Sequence, residues 1–393
     1  MVIRDTGTLD ASGPTGGEVS MEGERVGQFG LVNADGTVGD GGTINLYADN
    51  VLALSSDSLT TASAGLNGDG GEVIVFSPDT ALFRSGAEIL ARGGTGSGDG
   101  GFVEVSGLNH VEVFGWVNAG ATNGNAGIFL IDPTDITIDD AAQVEDITDD
   151  GDGTFTCNAN SNLIKDTTIE GYLNAGTSVT LDTSDDGGGG PFGGSGDITQ
   201  MADAQIDFTG AGGAATLTLL AERDIILNGG IASAGNTLGV TLTATRHVDI
   251  NAAITTNGGN FTSTGVDFDN TGGTISTGAG ALTVNHTGNV TVGSAIDTTT
   301  GAVDIDAGGT LGITAGITTT GAGGTVAIDA TGLTTIGVSG DINAGDAVTF
   351  GAAKPGAVNT EGDITTTADN IIFDGAGAVT IGALDASFDS AGG

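Results

Sequence analysis

An apolar pair spaced i, i+2, then a second pair, then a single apolar residue, returns roughly every 21 to 24 residues through the second half of the chain. One copy is Leu217, Leu219, Ile225, Leu227 and Ile231, and the next is Val240, Leu242, Val248, Ile250 and Ile254. Phe261, Val266, Phe268 and Ile275 follow, then Leu282, Val284, Val290, Val292 and Ile296. Val303, Ile305, Leu311, Ile313 and Ile317 repeat the pattern, and Ile371, Phe373, Val379, Ile381 and Leu384 repeat it again. Each pair puts two side chains on one face of a short strand. Three strands joined at Gly, Asn, Asp or Thr corners make a coil that cannot bury its own inner face. Stacking coils about 4.8 Å apart sets like residue over like residue and closes a continuous apolar column.

The pattern therefore predicts an all-β chain, a right-handed parallel β-helix (solenoid) of about 15 coils with three short strands each, on the order of 70 Å long. A left-handed β-helix would keep hexapeptides, a calcium β-roll would keep tandem G-G-x-G-x-D-x-U-x nonapeptides, and a propeller blade would run to about 40 residues. None of these periods is present.

The first third uses wider coils. Gly39-Asp40-Gly41-Gly42, Gly68-Asp69-Gly70-Gly71 and Gly98-Asp99-Gly100-Gly101 recur about 30 residues apart, each opening a strand-like run. Gly16-Gly17 is an earlier copy and Ala126-Gly127 a later one. No helix is expected after these motifs, so they read as corners rather than phosphate loops. Three stretches of one continuous solenoid result: wide coils over 1–126, coils with acidic Gly-rich loop insertions over 127–214, and regular coils over 215–393. Projecting loops of the middle stretch are expected to carry specificity.

Gly at 74 of 393 residues with 4% aromatics resembles a disordered composition, but the regular apolar columns argue for a packed fold. Eight Lys plus Arg against fifty Asp plus Glu give a formal charge of −42, which disfavours nucleic acid, heparin and anionic lipid as partners. Cys157 is the only cysteine, so neither a disulfide framework nor a metal-thiolate cluster is expected. The chain shows no signal peptide, transmembrane run or lipidation motif, and reads as a segment of something larger or a processed product.

Calcium is the metal the sequence suggests, because hard cations take Asp and loop carbonyl oxygens. Asp149, Asp150 and Asp152 crowd together, and Asp185 and Asp186 form a second cluster. Neither follows EF-hand spacing, and weak screening by many divalent ions is expected over one tight site. No catalysis is expected. The rival is a polysaccharide-cleaving β-helix enzyme, for which Asp249 with Asp267 and Asp269 could serve as a carboxylate pair, yet on so acidic a chain such pairs arise by chance. His110, His247 and His286 lie in different coils with no serine or cysteine arrangement that suggests a triad. Asn260, Asn285 and Asn289 stand in N-x-T sequons, and Phe102, Phe114, Trp116 and Phe129 are expected to divide between core and surface ladders.

Several runs carry a family resemblance. They include Thr15-Gly16-Gly17-Glu18-Val19-Ser20 with Glu24-Arg25-Val26-Gly27, and Gly70-Gly71-Glu72-Val73-Ile74-Val75. Ala91-Arg92-Gly93-Gly94 with Gly98-Asp99-Gly100-Gly101-Phe102-Val103-Glu104-Val105-Ser106-Gly107 follows. The sharpest is Gly127-Ile128-Phe129-Leu130-Ile131-Asp132-Pro133-Thr134-Asp135-Ile136-Thr137-Ile138, similar to a G-x-x-L-x-D-P-x-x-I-x-I run, and Leu217-Thr218-Leu219-Leu220-Ala221 with Arg223-Asp224-Ile225 resembles L-x-L-x-A-x-x-D-I coils. Together they resemble the filamentous-haemagglutinin-like family of two-partner-secreted bacterial exoproteins, in its shaft region. The family's secretion domain has no counterpart in the sequence.

The resemblance implies an extracellular β-helical shaft of a secreted adhesin or filament, at the bacterial cell surface or in the matrix, exported through an outer-membrane transporter. Its partners would be neighbouring coils of a longer chain, and host-surface or matrix glycans and proteins. Because no polar cap is evident at either end of the sequence, end-to-end self-stacking into a fibre is the alternative expectation.

Overall fold

A computed structural model describes residues 2–5, 7–141, 147–149, 155–157, 162–184, 195–374, 377–381 and 388–390. It is all-β, with parallel sheets forming a β-solenoid of about 14 turns, the right-handed parallel β-helix that the repeat predicts. Two compact units divide it: Met1–Ile198 with Thr209–Glu222, and Thr199–Phe208 with Arg223–Gly393.

In the first unit the strands Glu18–Gln28, Thr43–Leu54, Glu72–Ser77, Phe102–Gly107, Ile128–Asp132, Ser178–Asp182 and Ala215–Ala221 stack in parallel. Their register puts Ile44, Val73, Val103, Phe129, Val179 and Leu217 in one inner column and Leu46, Val75, Val105, Ile131, Leu181 and Leu219 in a second. All twelve are fully buried. Each such side chain contributes roughly 1.5–3 kcal/mol of burial, so the stacking itself holds the coils together. The wide coils differ from the prediction in one respect. Thr43–Leu54 spans the first two strands of its coil without interruption, and Thr80–Phe83 and His110–Val113 pair within the same sheet. The third side is a separate five-stranded sheet from Thr8–Asp10 to Trp116–Asn118.

The second unit is more regular. Its third-strand column is isoleucine over eight coils: Ile206, Ile231, Ile254, Ile275, Ile296, Ile317, Ile342 and Ile364 are successive register partners, none more than 1% exposed, and Phe388 follows them. A β-branched side chain with one preferred rotamer suits such a column, since every coil presents the same shape to the next.

Three details depart from the sequence reading. Val266, expected inside, is exposed, because both Val266 and Asp267 donate their amides to the Arg246 carbonyl and the chain turns before the strand Asp267–Asp269 begins. Ile371 and Phe373 are half-buried and Val379 and Ile381 exposed. The middle stretch holds more than loops: a helix, Asp166–Asn174, and an antiparallel pairing of Ile147–Asp149 with Phe155–Cys157.

Candidate interaction surface

The glycine at the third position of each Gly-Asp-Gly-Gly corner is required by close backbone approach rather than by a left-handed dihedral, although Gly98, which opens the last of them, has φ 120°. A Cβ on Gly41, Gly70 or Gly100 would lie 1.9, 2.1 or 1.8 Å from the carbonyl oxygen of Ala62, Ala91 or Ala119. None of the three has a positive φ. The first paired glycine donates to the next coil (Gly70 N to Asp99 O, 2.9 Å), and the second closes its own coil (Gly71 N to Ala62 O, 2.7 Å). The aspartates form a ladder. Asp40 Oδ1 accepts the Asp69 amide (2.9 Å), Asp69 Oδ1 the Asp99 amide (2.8 Å), and Asp99 Oδ1 the Asn125 amide (2.7 Å). The amide and side chain of Asn125 hold Asp99 below the usual carboxylate range. These motifs thus join coil to coil, and the only helix among the described residues follows none of them.

Beside the corners runs a shallow groove of about 510 Å³, paved by their glycines and flanked by Thr43, Glu72, Phe102 and Ile128. Those four are successive register partners on the outer face of the first sheet. Next to them lie Ile74, Glu104 and Leu130, also in register, and beyond these the stacked rings of Tyr47 and Phe76, 5.9 Å apart. The result is a face in which half-buried aromatic and aliphatic side chains, and the exposed Ile128, lie among the carboxylates of Glu72 and Glu104. The same face of the second unit carries Thr262, Thr283, Asp304 and Ala327 instead. Of the aromatics singled out in the sequence, Phe129 is core, Phe102 and Phe114 are half-buried and Trp116 is exposed.

A second feature arises where the helix Asp166–Asn174 packs beside the last strand of the five-stranded sheet. Ile169, Tyr172 and Leu173, at helical spacing, are its buried stripe. The Tyr172 hydroxyl donates to Gly115 O at 2.7 Å, and its ring meets Phe129 edge-on (4.9 Å) and Trp116 at a tilt (5.8 Å). A Cβ on Gly171 would come within 3.2 Å of the Trp116 ring, so glycine lets the indole lie on the helix. At the other end Asn174 Oδ1 accepts from Thr209 N, Thr209 Oγ1 and Gly210 N. The step leaves a cleft of about 530 Å³.

No protein-family model and no curated protein matches the chain.

Of the proposed calcium ligands, Asp150, Asp152, Asp185 and Asp186 lie outside the described residues, as does the side chain of Asp149, whose backbone ends the strand Ile147–Asp149. Among the described residues no three His, Cys, Asp or Glu side chains are grouped to hold a metal ion. The carboxylates expected to meet only by chance are partly brought together. Asp249 and Asp269 are register partners, and Asp249 is pushed above the carboxylate range, first by burial and then by the charge of Asp269. Asp267 instead pairs with His247 (3.4 Å). Asn260 and Asn289 spend their side-chain oxygens on the next coil, accepting from the Ala281 and Thr310 amides (both 3.0 Å), while Asn285 is exposed.

Two arrangements were not anticipated. His286 does have a serine partner, Ser263, 2.9 Å from its Nε2. Both are fully buried and Nδ1 has no hydrogen-bond partner, so the pair lacks the orienting group of a triad. Burial lowers the His286 pKa to about 4, against a smaller upward pull from Asp267. The second is a ladder of buried threonines closing the third corner. Thr256 Oγ1 donates to Gly259 O (2.5 Å), Thr277 Oγ1 to Gly280 O (2.5 Å) and Thr298 Oγ1 to Gly301 O (2.6 Å), and Thr319 does the same to Gly324. The signal was in the sequence as a Thr-x-x-Gly run returning once per coil at Thr256, Thr277 and Thr298.

Proposed function

We propose that this chain is the β-helical shaft of a secreted bacterial exoprotein of filamentous-haemagglutinin type, working outside the cell in attachment or matrix formation. The observation that carries the reading is the outer face of the first unit. Parallel pairing sets Glu72, Phe102 and Ile128, and beside them Ile74, Glu104 and Leu130, in two rows with one residue from each of three successive coils. Shallow contacts repeated on a stiff support gain strength by avidity, without a deep pocket. The family resemblance of the Gly127–Ile138 run supports the same reading, as does a charge of −42, which keeps such shafts from collapsing onto one another.

The location is tested by labelling intact producing cells with an antibody to the folded chain, before and after external protease. The expected result is label at the surface or in the surrounding matrix without permeabilisation. Label seen only after permeabilisation would overturn the proposal.

A further inference from the structure

We infer that the cleft beside the helix is a binding site for a glycan ending in a single carboxylated sugar, with Arg92 as the carboxylate receptor. The cleft, about 530 Å³, falls in the size range of small-ligand sites. Ser63, Arg92, Thr95, Asn118 and Thr122 supply its polar side chains, and the rest of the lining is alanine and glycine, whose main chain adds further hydrogen-bonding groups. Such a wall offers a sugar hydrogen bonds and offers a lipid or an apolar peptide little.

The charge is what singles out Arg92. Lys165 lies 3.4 Å from Asp140 and Arg246 3.5 Å from Asp224, Arg84 and Arg223 also have partners, and the half-buried Arg25 is not among the residues that line this cleft. Arg92 is exposed in the cleft and has no ion pair or side-chain hydrogen bond among the described residues. The acid two coils along in its row, Asp35, is occupied by the Thr61 hydroxyl (2.5 Å) and the Ser63 amide (2.7 Å). The Arg92 backbone is fixed on the side of the preceding coil, its amide donating to Ser63 Oγ (3.2 Å) and its carbonyl accepting from Ala64 (2.8 Å). A planar guanidinium so placed matches a carboxylate through two parallel hydrogen bonds.

The same charge limits the ligand. A polyanion would meet the field of fifty carboxylates, whereas one carboxylate on an otherwise neutral glycan meets mainly the local cation, because distant charges are screened beyond about 8 Å at physiological salt. The cleft is separate from the outer-face rows, so its failure would leave the attachment reading standing.

The test is titration of the intact chain with sialyllactose and with lactose, which differ by the acidic sugar. Sialyllactose is expected to saturate the cleft, with lactose about tenfold weaker or more, as for one charge-assisted pair. Arg92→Gln is expected to fall to the lactose level and Arg92→Lys to lie between. Equal affinity for the two sugars, no binding of sialyllactose, or unchanged binding in Arg92→Gln would each overturn the assignment. The comparison of two sugars on the unaltered protein decides the matter even if a variant fails to fold.

Discussion

His286 Nε2 and Ser263 Oγ meet at 2.9 Å across adjacent coils, deep in the second unit's core. The ring fits because its neighbours are small. Ser263 stands between Leu242 and Val284 in its column, and Gly265 is the register partner of His286 itself. A Cβ on Gly265 would lie 3.0 Å from the imidazole Cε1. Phe268 covers the ring at 5.4 Å.

This pair sets a pH dependence. The His286 pKa falls from 6.5 to about 4 on folding, so below pH 6.5 the unfolded chain takes up a proton that the folded chain refuses. Stability is therefore lost as pH drops from about 6.5 towards 4, by roughly 2–3 kcal/mol from this residue. Thermal melts of wild type and His286→Leu across pH 7 to 4 read the difference. The gap between them should close or reverse as pH falls; a constant gap contradicts the account.

The corner glycines should separate by geometry. Gly70→Ala drives a methyl into the Ala91 carbonyl and is expected to cost at least about 1–3 kcal/mol. Gly312→Ala, in the strand Leu311–Ile313 with nothing within 4 Å of the added carbon, should instead stabilise by about 0.4–1 kcal/mol. Denaturant melts of the two variants check the contrast, and similar shifts in the same direction would refute it.

Each rung of the threonine ladder should carry a measurable share of stability. Thr277→Val keeps the shape and removes the hydroxyl that satisfies the Gly280 carbonyl, for an expected loss of about 1 kcal/mol. Thr283→Val, on the outer face of the same unit, should cost less than half of that. If the two variants melt alike, the ladder is not a stabilising device.

Much of this architecture could be read from spacing alone. Pairs such as Val240/Leu242 and Leu282/Val284 are inward as their parity requires, and the isoleucines at 254, 275, 296 and 317 fall in one column because the coil length hardly varies. The helix was missed because Ile169, Tyr172 and Leu173 give only one short helical stripe in a chain of period-2 pairs, and Gly171 and two threonines weaken it. The Ser263–His286 contact was missed because it joins two columns diagonally, which a search for like residues at like positions does not compare. The rows that make the outer face, such as Glu72 beside Phe102 and Ile128, depend on register between coils of unequal length, visible only once those coils are stacked. Arg92 appeared in the sequence only as part of a family-like run, and nothing there distinguished it from the other scattered cations.

The central claim is that the outer face of the first unit attaches. Its direct test is retention under flow of beads coated with wild-type chain, or with Phe102→Ser alone or combined with Tyr47→Ser and Phe76→Ser, on a matrix-coated surface. The account predicts stepwise loss of retention, steeper on densely coated beads because the contacts are multivalent, while melting of the single variant stays within a few degrees of wild type. Retention unchanged in the triple variant, with the fold intact, would contradict it.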